Sequence, residues 1–560
     1  MKIERKQIEC ILFMLFISIL CILPCAGKRL PYGDDMTFHM LRIESVHHAI
    51  KTGQGFPAYI YDKLMEGYGY GAGIFYPDIL LLPAVLLRGI GFSPIGAMTG
   101  YIFILLLLTS YTSYMAGRIV GGSHLVGLIM MILYTLGLYH LEDVYIRSAI
   151  GEVVAMAFIP LVACALYNFT EDKKQKRGLL CISFAGVMLC HTISFVLCVI
   201  LAIVWVIFRI HKIWNKKHIL WLLAEAISCI VITSFYWIPV LEQFTDGSFY
   251  VNSNPAFKTQ NEMMTFFRIV SGRFSVSFIE LSVFLIFVLL GARSGLRNKK
   301  ALCCFGISMG LLIIETRVFP WNLVDQTPFV SLQFPWRLNM FTEFFVALGI
   351  GLQLQELYRY LDSIRRVYIL GLIMCVVIGC YNLYIVWPVG FIQSKKYTKN
   401  YMETVSNTND VGCYEWLPSE VNKNENYSRE GKGIISLYGL SDNKTYGEYN
   451  SNGSYIFEVE QIYDSCVIPK YYYKGYKASV MDIEGSQMFL PVSKDPDTGL
   501  VRLELNGKTG TVRVWYGKTV MQMISKWISL ISLLFIVAFG VIRFITKHKS
   551  ERENTDTQYI

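Results

Sequence analysis

The sequence holds 560 residues, 54% of them hydrophobic, 14% aromatic and only 17% charged, against about a quarter charged in ordinary soluble chains. The formal net charge of +9 sits in short basic clusters between apolar runs. That is the cytoplasmic-loop pattern of membrane proteins, so no nucleic acid is expected as a partner. No Walker loop, Rossmann fingerprint, HExxH or nucleophile elbow occurs, which removes ATP-driven transport by this chain alone, nucleotide redox chemistry and the common hydrolase mechanisms.

Apolar runs of about 20 residues, the length a bilayer crossing needs, recur from residue 8 to residue 389, and one more follows near the C-terminus. In lipid these must be helices, because no water is there to satisfy the backbone. The first run, 8–26, follows Lys2, Arg5 and Lys6 and resembles a signal peptide. It is longer than a signal core and many spans follow, so it is read as an uncleaved first helix. Basic anchors at Arg118, Lys173 to Arg177, Arg209 to Lys217, Arg293 to Lys300, Arg359 to Arg366 and Lys547/Lys549 then fix the order. About twelve spans fit them: 8–26, 95–117, 124–140, 152–169, 178–191, 193–209, 218–240, 276–292, 301–316, 338–357, 367–388 and 524–546, with both termini cytoplasmic. Residues 74–91 are apolar but short and carry Pro77 and Pro83, and they are expected to form a re-entrant or juxtamembrane helix on the outer side. The run 178–210 is expected to turn as a tight hairpin near His191.

This topology divides the chain into a transmembrane domain over 1–390 (first outer loop 27–94), an extracytoplasmic β-rich domain over 391–523, a last span at 524–546 and a polar, unstructured cytoplasmic tail over 547–560. Alternating runs at 454–460, 501–505 and 510–516 predict a β-sandwich or jelly-roll over about 405–518, with Asn506-Gly507 as a hairpin turn between the last two strands. Of the fourteen cysteines, only Cys413 and Cys466 fall in this soluble block, where a disulfide between them stays open. No CxxC or metal-ligand spacing occurs.

Chemistry-capable residues gather in the outer loops. Asp34 is placed to cap a helix, and Asp35, His39 and Arg42 then share one helical face. Met36, Met40, Ile43 and His47 mark another face expected to lie on the membrane. An acid, an imidazole and a guanidinium beside a bilayer suit acid–base work on a charged ligand, or form the wet face of an interfacial helix. Dense glycines and aromatics over 66–77 permit close backbone approach to a sugar or headgroup, or serve packing alone. Glu142, Asp143, Arg147 and Glu152 either pair among themselves or offer a cation to phosphate. His191 sits at the hairpin turn. Arg337 is a membrane anchor or a phosphate ligand, beside Gln333 and the interfacial Trp336.

Taken in order, Gly33-x-Asp35-x-x-x-His39, the glycine-rich 68–77, Arg147-Ser-Ala-x-Gly-Glu152, His191, Gln333-Phe-Pro-Trp-Arg337 and a β-rich domain before the last span resemble the YfhO-like bacterial membrane proteins. That family also carries a pyruvoyl-tetrahydropterin-synthase-related label, although nothing in the sequence suggests pterin chemistry. It belongs with the GT-C glycosyltransferases. The resemblance implies a GT-C-like bundle in the bacterial plasma membrane that moves a sugar, with inversion, from a polyprenyl-phosphate donor to a carbohydrate or teichoic-acid-like acceptor on the outer face. By motif position Asp35 is the general base, with Asp34 beside it as cap or metal neighbour, and which of the two acts stays open. Arg337 and Arg147 are assigned to the lipid phosphate, and His39 to supporting Asp35 or touching the acceptor. Arg42, Glu152, His191, Gln333 and Trp336 have supporting roles. A divalent cation, Mg or Mn, is left open. The competing readings are a lipid-linked glycan flippase or exporter and an envelope scaffold.

Overall fold

The structure is a computed structural model describing residues 5–26, 30–31, 33–171, 178–253, 256–293, 295–296, 298–360, 364–392, 411–421 and 434–556. Lys2, the basic cluster at 173–177, Arg297 and the expected start of the β-rich domain near 405 lie outside the described residues.

Sixteen described helices have eight residues or more: α1 (Arg5–Ile22), α2 (Met36–Lys51), α3 (Leu82–Gly89), α4 (Pro94–Val120), α5 (His124–Thr135), α6 (Leu138–Tyr145), α7 (Ile150–Thr170), α8 (Leu179–Met188), α9 (Thr192–Phe208), α10 (Lys216–Ile232), α11 (Ser234–Asp246), α12 (Phe278–Arg293), α13 (Lys299–Ile314), α14 (Asn339–Tyr360), α15 (Ile364–Ile392) and α16 (Val520–Asp556). Five stretches are long and apolar enough to cross a membrane, or seven if two bent pairs each count as one span. Every expected span has a helical counterpart, but several of these helices are too short to pass that measure. Helix α5 is the bundle's axis, with Leu125 through Thr135 all buried. The outer helices instead expose large apolar side chains, among them Ile203, Phe208, Leu289, Val377 and Leu534, as lipid contact requires.

Several expectations need correction. The span 218–240 is broken: α10 and α11 meet at 67° around Thr233, which carries the far end of α11 up to the β-rich domain. There Gln243 Nε2 donates to the Lys474 carbonyl at 2.8 Å. The span 124–140 is also bent, by 41° between α5 and α6. Gly137 stands at that break because a Cβ there would lie 1.9 Å from Glu343 Oε1. The apolar face of α2 is not on the membrane. Met36, Met40 and Ile43 are buried in the protein. Helix α16 runs into the tail as far as Asp556, so the tail is helical over 547–556 rather than unstructured. Residues 74–91 do form only short helical pieces, ending in α3.

The β-rich domain is a sandwich of two five-stranded sheets. The strands are β1 (Ile434–Tyr438), β2 (Asn443–Tyr446), β3 (Glu448–Tyr449), β4 (Tyr455–Val459), β5 (Ser465–Tyr471), β6 (Tyr476–Met481), β7 (Gln487–Leu490), β8 (Val492–Lys494), β9 (Leu500–Glu504) and β10 (Gly510–Tyr516). One sheet runs β2-β1-β5-β9-β8 and the other β3-β4-β10-β6-β7, with every pairing antiparallel. Asn506 and Gly507 do turn, with φ of 50° and 75°, but β9 and β10 belong to different sheets. The turn therefore crosses the sandwich rather than closing a hairpin. Cys466 is a buried thiol, and no disulfide joins it to Cys413.

The sandwich is docked on the bundle through aromatic rings. Phe75 stacks on Trp416 at 4.6 Å and meets Phe249 at 4.7 Å, and Phe249 stacks on Tyr473 at 6.1 Å. Backbone bonds add to the join: Tyr471 donates to Tyr68, Tyr250 to Leu417 and Val251 to Glu415. Residues 411–421 are thereby laid against the loops that follow α2 and α11.

Candidate functional site

Helix α2 begins one residue later than expected: Asp35, not Asp34, is its N-cap residue, and the side chain makes no cap hydrogen bond. Its carboxylate is thus left for other work. The Asp35 amide donates to the Arg147 carbonyl at 2.9 Å. That approach needs Gly33, where a Cβ would lie 1.9 Å from Ser148 Oγ. Ser148 holds a positive φ of 53°, a strained conformation for a residue with a Cβ. Two loops more than a hundred residues apart are pressed together at this point. Asp34 is exposed and Asp35 half-buried. Burial pushes the Asp35 carboxyl up to about 6. Arg147 pulls it down, while Glu415, Asp34 and Glu152 raise it further.

Glu152, at the start of α7, holds two arginines. Arg147 forks onto it through Nη1 at 2.9 Å and Nη2 at 2.8 Å, also bonds Asp143, and lies 4.4 Å over the Trp336 ring. Arg337 Nε reaches the same carboxylate at 2.7 Å. Its Nη1 donates to the Leu332 carbonyl and to Gln333 Oε1, and its Nη2 donates to no described residue. Gln333 in turn donates to Glu415 at 2.9 Å from a backbone with φ of 59°. The Tyr139 hydroxyl completes the Glu152 shell at 3.0 Å. Buried cations held this way are fixed in place, because an unpaired buried charge is costly.

Both histidines are neutral. His191 caps α9, with Nδ1 accepting from the Ser194 amide at 3.3 Å, and burial lowers its pKa to about 3. His39 is held well below the usual imidazole range by burial, then by Arg42 and His191. The Tyr76 ring stands between them, 6.5 Å from each. Arg42 turns away from the shared face. It binds Asp78 at 3.1 and 2.8 Å and the Pro77 carbonyl at 3.2 Å, while Tyr61 donates to Asp78 at 2.7 Å. Arg42 thus braces the glycine-rich stretch and touches the site through His39, 3.2 Å away, and through the Tyr76 ring, 4.4 Å beneath its guanidinium.

The structure therefore gathers Asp35, Arg147, Glu152, Arg337, Gln333 and Trp336, sets His39 and His191 around Tyr76 beside them, and leaves Asp34 on the rim. Glu415, Tyr139 and Tyr76 were not singled out from the sequence. Glu415 lay in a block assigned to the β-rich domain, and nothing in its neighbours marks it. A second polar set lies inside the bundle. Asn382 Nδ2 donates to Glu280 at 2.7 Å and to the Leu136 carbonyl at 3.0 Å, Glu343 accepts from the Tyr139 amide at 3.3 Å, and the two carboxyls are neighbours. Ionisable residues in apolar runs were the available signal. Glu225, which receives the amides of Gly178 and Cys181, and Glu315, bonded to Asn339, carry the same signal. Among the described residues no three His, Cys, Asp or Glu side chains are grouped to hold a metal ion.

Comparison with known proteins gives three findings. An uncharacterized protein of Lactococcus lactis subsp. cremoris (strain MG1363) is 22% identical over 350 residues, covering 57% of this chain and 55% of the relative. The chain thus spans about half the length of that curated relative. The arabinofuranosyltransferase AftD from Mycobacteria superposes with a TM-score of 0.47 at 12% identity, over 72% of this chain and 28% of AftD. The family model for the 6-pyruvoyl-tetrahydropterin synthase related domain, a membrane protein family, matches residues 80–386. More than half of the sequence falls within that match, and the chain belongs to this membrane protein family.

Proposed function

We propose that the chain is a glycosyltransferase of the bacterial plasma membrane, its termini cytoplasmic and its loop cluster outside, acting on a polyprenyl-phosphate-linked sugar. The observation that carries this reading is a half-buried carboxyl, Asp35, with its pKa near 6, beside two arginines fixed on one carboxylate. Asp35 accepts the proton of an acceptor hydroxyl as that oxygen attacks the anomeric carbon. The bond from that carbon to the phosphate oxygen breaks with inversion, and polyprenyl phosphate leaves with the electron pair. Arg337, through Nη2, meets the developing negative charge, with Arg147 behind it. Neutral His39 and His191 orient the reacting groups without adding charge. The acceptor is an envelope glycan or a teichoic-acid-like polymer.

Complementing a deletion strain with Asp35→Asn and with Arg337→Ala, followed by sugar analysis of the envelope polymers, tests the proposal. Both variants, stably expressed, are expected to lose the modification. Normal glycosylation by Asp35→Asn removes Asp35 as base. A flippase or exporter is the second reading, favoured by the Glu280–Glu343–Asn382 set within the bundle, since transporters place ionisable groups inside their spans. It predicts that Glu343→Gln, and not Asp35→Asn, abolishes function.

A further inference from the structure

A cleft of about 320 Å³ separates the chain just after α2 from the outer face of the second sheet. Tyr59 and Asp62 line one wall, and Asn452, Arg513, Trp515 and Lys518 line the other. The period of β10 explains the second wall. Val512 and Val514 point into the sandwich core, so Arg513 and Trp515 face outward, with Arg513 exposed and Trp515 half-exposed. Lys518 is brought to the cleft by a backbone with φ of 61°, strained for a lysine.

Two features mark the cleft as built for a ligand. The Tyr59 side chain lines the cleft, and its buried hydroxyl has no hydrogen-bond partner among the described residues, an arrangement that costs stability. Gly453, beside Asn452 on the other wall, lies so close to Asp62 that a Cβ there would sit 2.1 Å from its carboxylate, which holds that acceptor where the two walls meet. A flat aromatic surface beside fixed donors and an acceptor suits a ring that has one apolar face and a rim of hydroxyls, that is, a sugar. The same segment leads to the candidate site: Tyr61, two residues beyond Tyr59, bonds Asp78, which holds Arg42 against His39.

Resting on the glycosyltransferase reading, we infer that this cleft is an acceptor subsite, holding a neutral glycan segment away from the bond-forming centre. The test is saturation-transfer NMR and calorimetry on the full chain in lipid nanodiscs, with neutral tetrasaccharides of glucose, galactose and mannose, and glycerol phosphate as the anionic control. At least one tetrasaccharide is expected to bind saturably. Trp515→Ala should weaken it by about tenfold or more, Asp62→Asn, which removes the charged acceptor, by about threefold or more, and Asp35→Asn not at all. Three results overturn the inference: no tetrasaccharide binds, binding survives both cleft variants unchanged, or glycerol phosphate displaces the sugar completely. If the cleft variants lose binding while Asp35→Asn still glycosylates, the subsite stands and the assignment of the base falls.

Discussion

Asp35 carries a conflict between function and stability that can be measured. Its carboxyl has an ordinary value of 3.8 and is raised to about 6 in the folded chain, so the folded form takes up a proton more readily than the unfolded one. The resulting contribution to stability is complete below about pH 4 and is lost as pH rises through about 6. We expect Asp35→Asn to melt at or above the wild-type temperature at pH 7.5, with the difference closing by pH 4.5, while transfer is abolished. The rate of wild-type transfer should fall on acidification with a single-proton limb near pH 6, as ionised Asp35 is titrated. A limb that Asp35→Glu leaves at the same pH would assign it to another group. Glu152 behaves in the opposite way. Glu152→Gln leaves two buried guanidiniums short of their counter-charge, and a loss on the order of 3 kcal/mol is expected, read as a drop in melting temperature of the detergent-solubilised protein. Asp35 was singled out by the helical face it shares with His39 and by its place in the family motif, and Arg147 and Arg337 by charge at the ends of apolar runs. Glu415 was not, because only the fold brings 411–421 to the site.

At the scale of elements, periodicity and basic anchors located the helices well and their geometry poorly. Apolar run length says that a segment is helical, but it carries no trace of a 67° bend at Thr233 or of the close approach that breaks the chain at Gly137. Both depend on partners distant in sequence. The turn at Asn506-Gly507 shows the same limit: its chemistry is local and was read correctly, whereas which sheet receives the next strand is set by the sandwich core. Gly33 is the element-scale contact most open to test. Gly33→Ala drives a methyl into Ser148 and must part the first loop from the Arg147 carbonyl. We expect a fall in transfer of about tenfold or more, as small misplacements of catalytic groups cause, with oligosaccharide binding in the cleft retained.

At the scale of the molecule, bundle and sandwich are one working unit joined through Phe75, Trp416, Phe249 and Tyr473. Trp416→Ala should cost on the order of 2 kcal/mol and loosen 411–421, so that limited proteolysis cuts the variant there before the wild type. The outward placement of the loop cluster is tested by cysteine labelling: Ser271→Cys should react with a membrane-impermeant maleimide in intact cells, and Lys216→Cys only after lysis. Membrane class, the β-rich domain and its position before the last span were all legible in composition and pattern, because lipid imposes long apolar runs and a sandwich core imposes alternation. The joining of the two parts was not, since stacked rings leave no periodic mark.

The sharing of Glu152 between Arg147 and Arg337 has one further consequence. The two guanidiniums come from segments nearly two hundred residues apart, and one carboxylate holds both. On the proposed reading, a phosphate meets cations whose ordering entropy was spent when the chain folded, so its capture should proceed with little rearrangement of the protein around it.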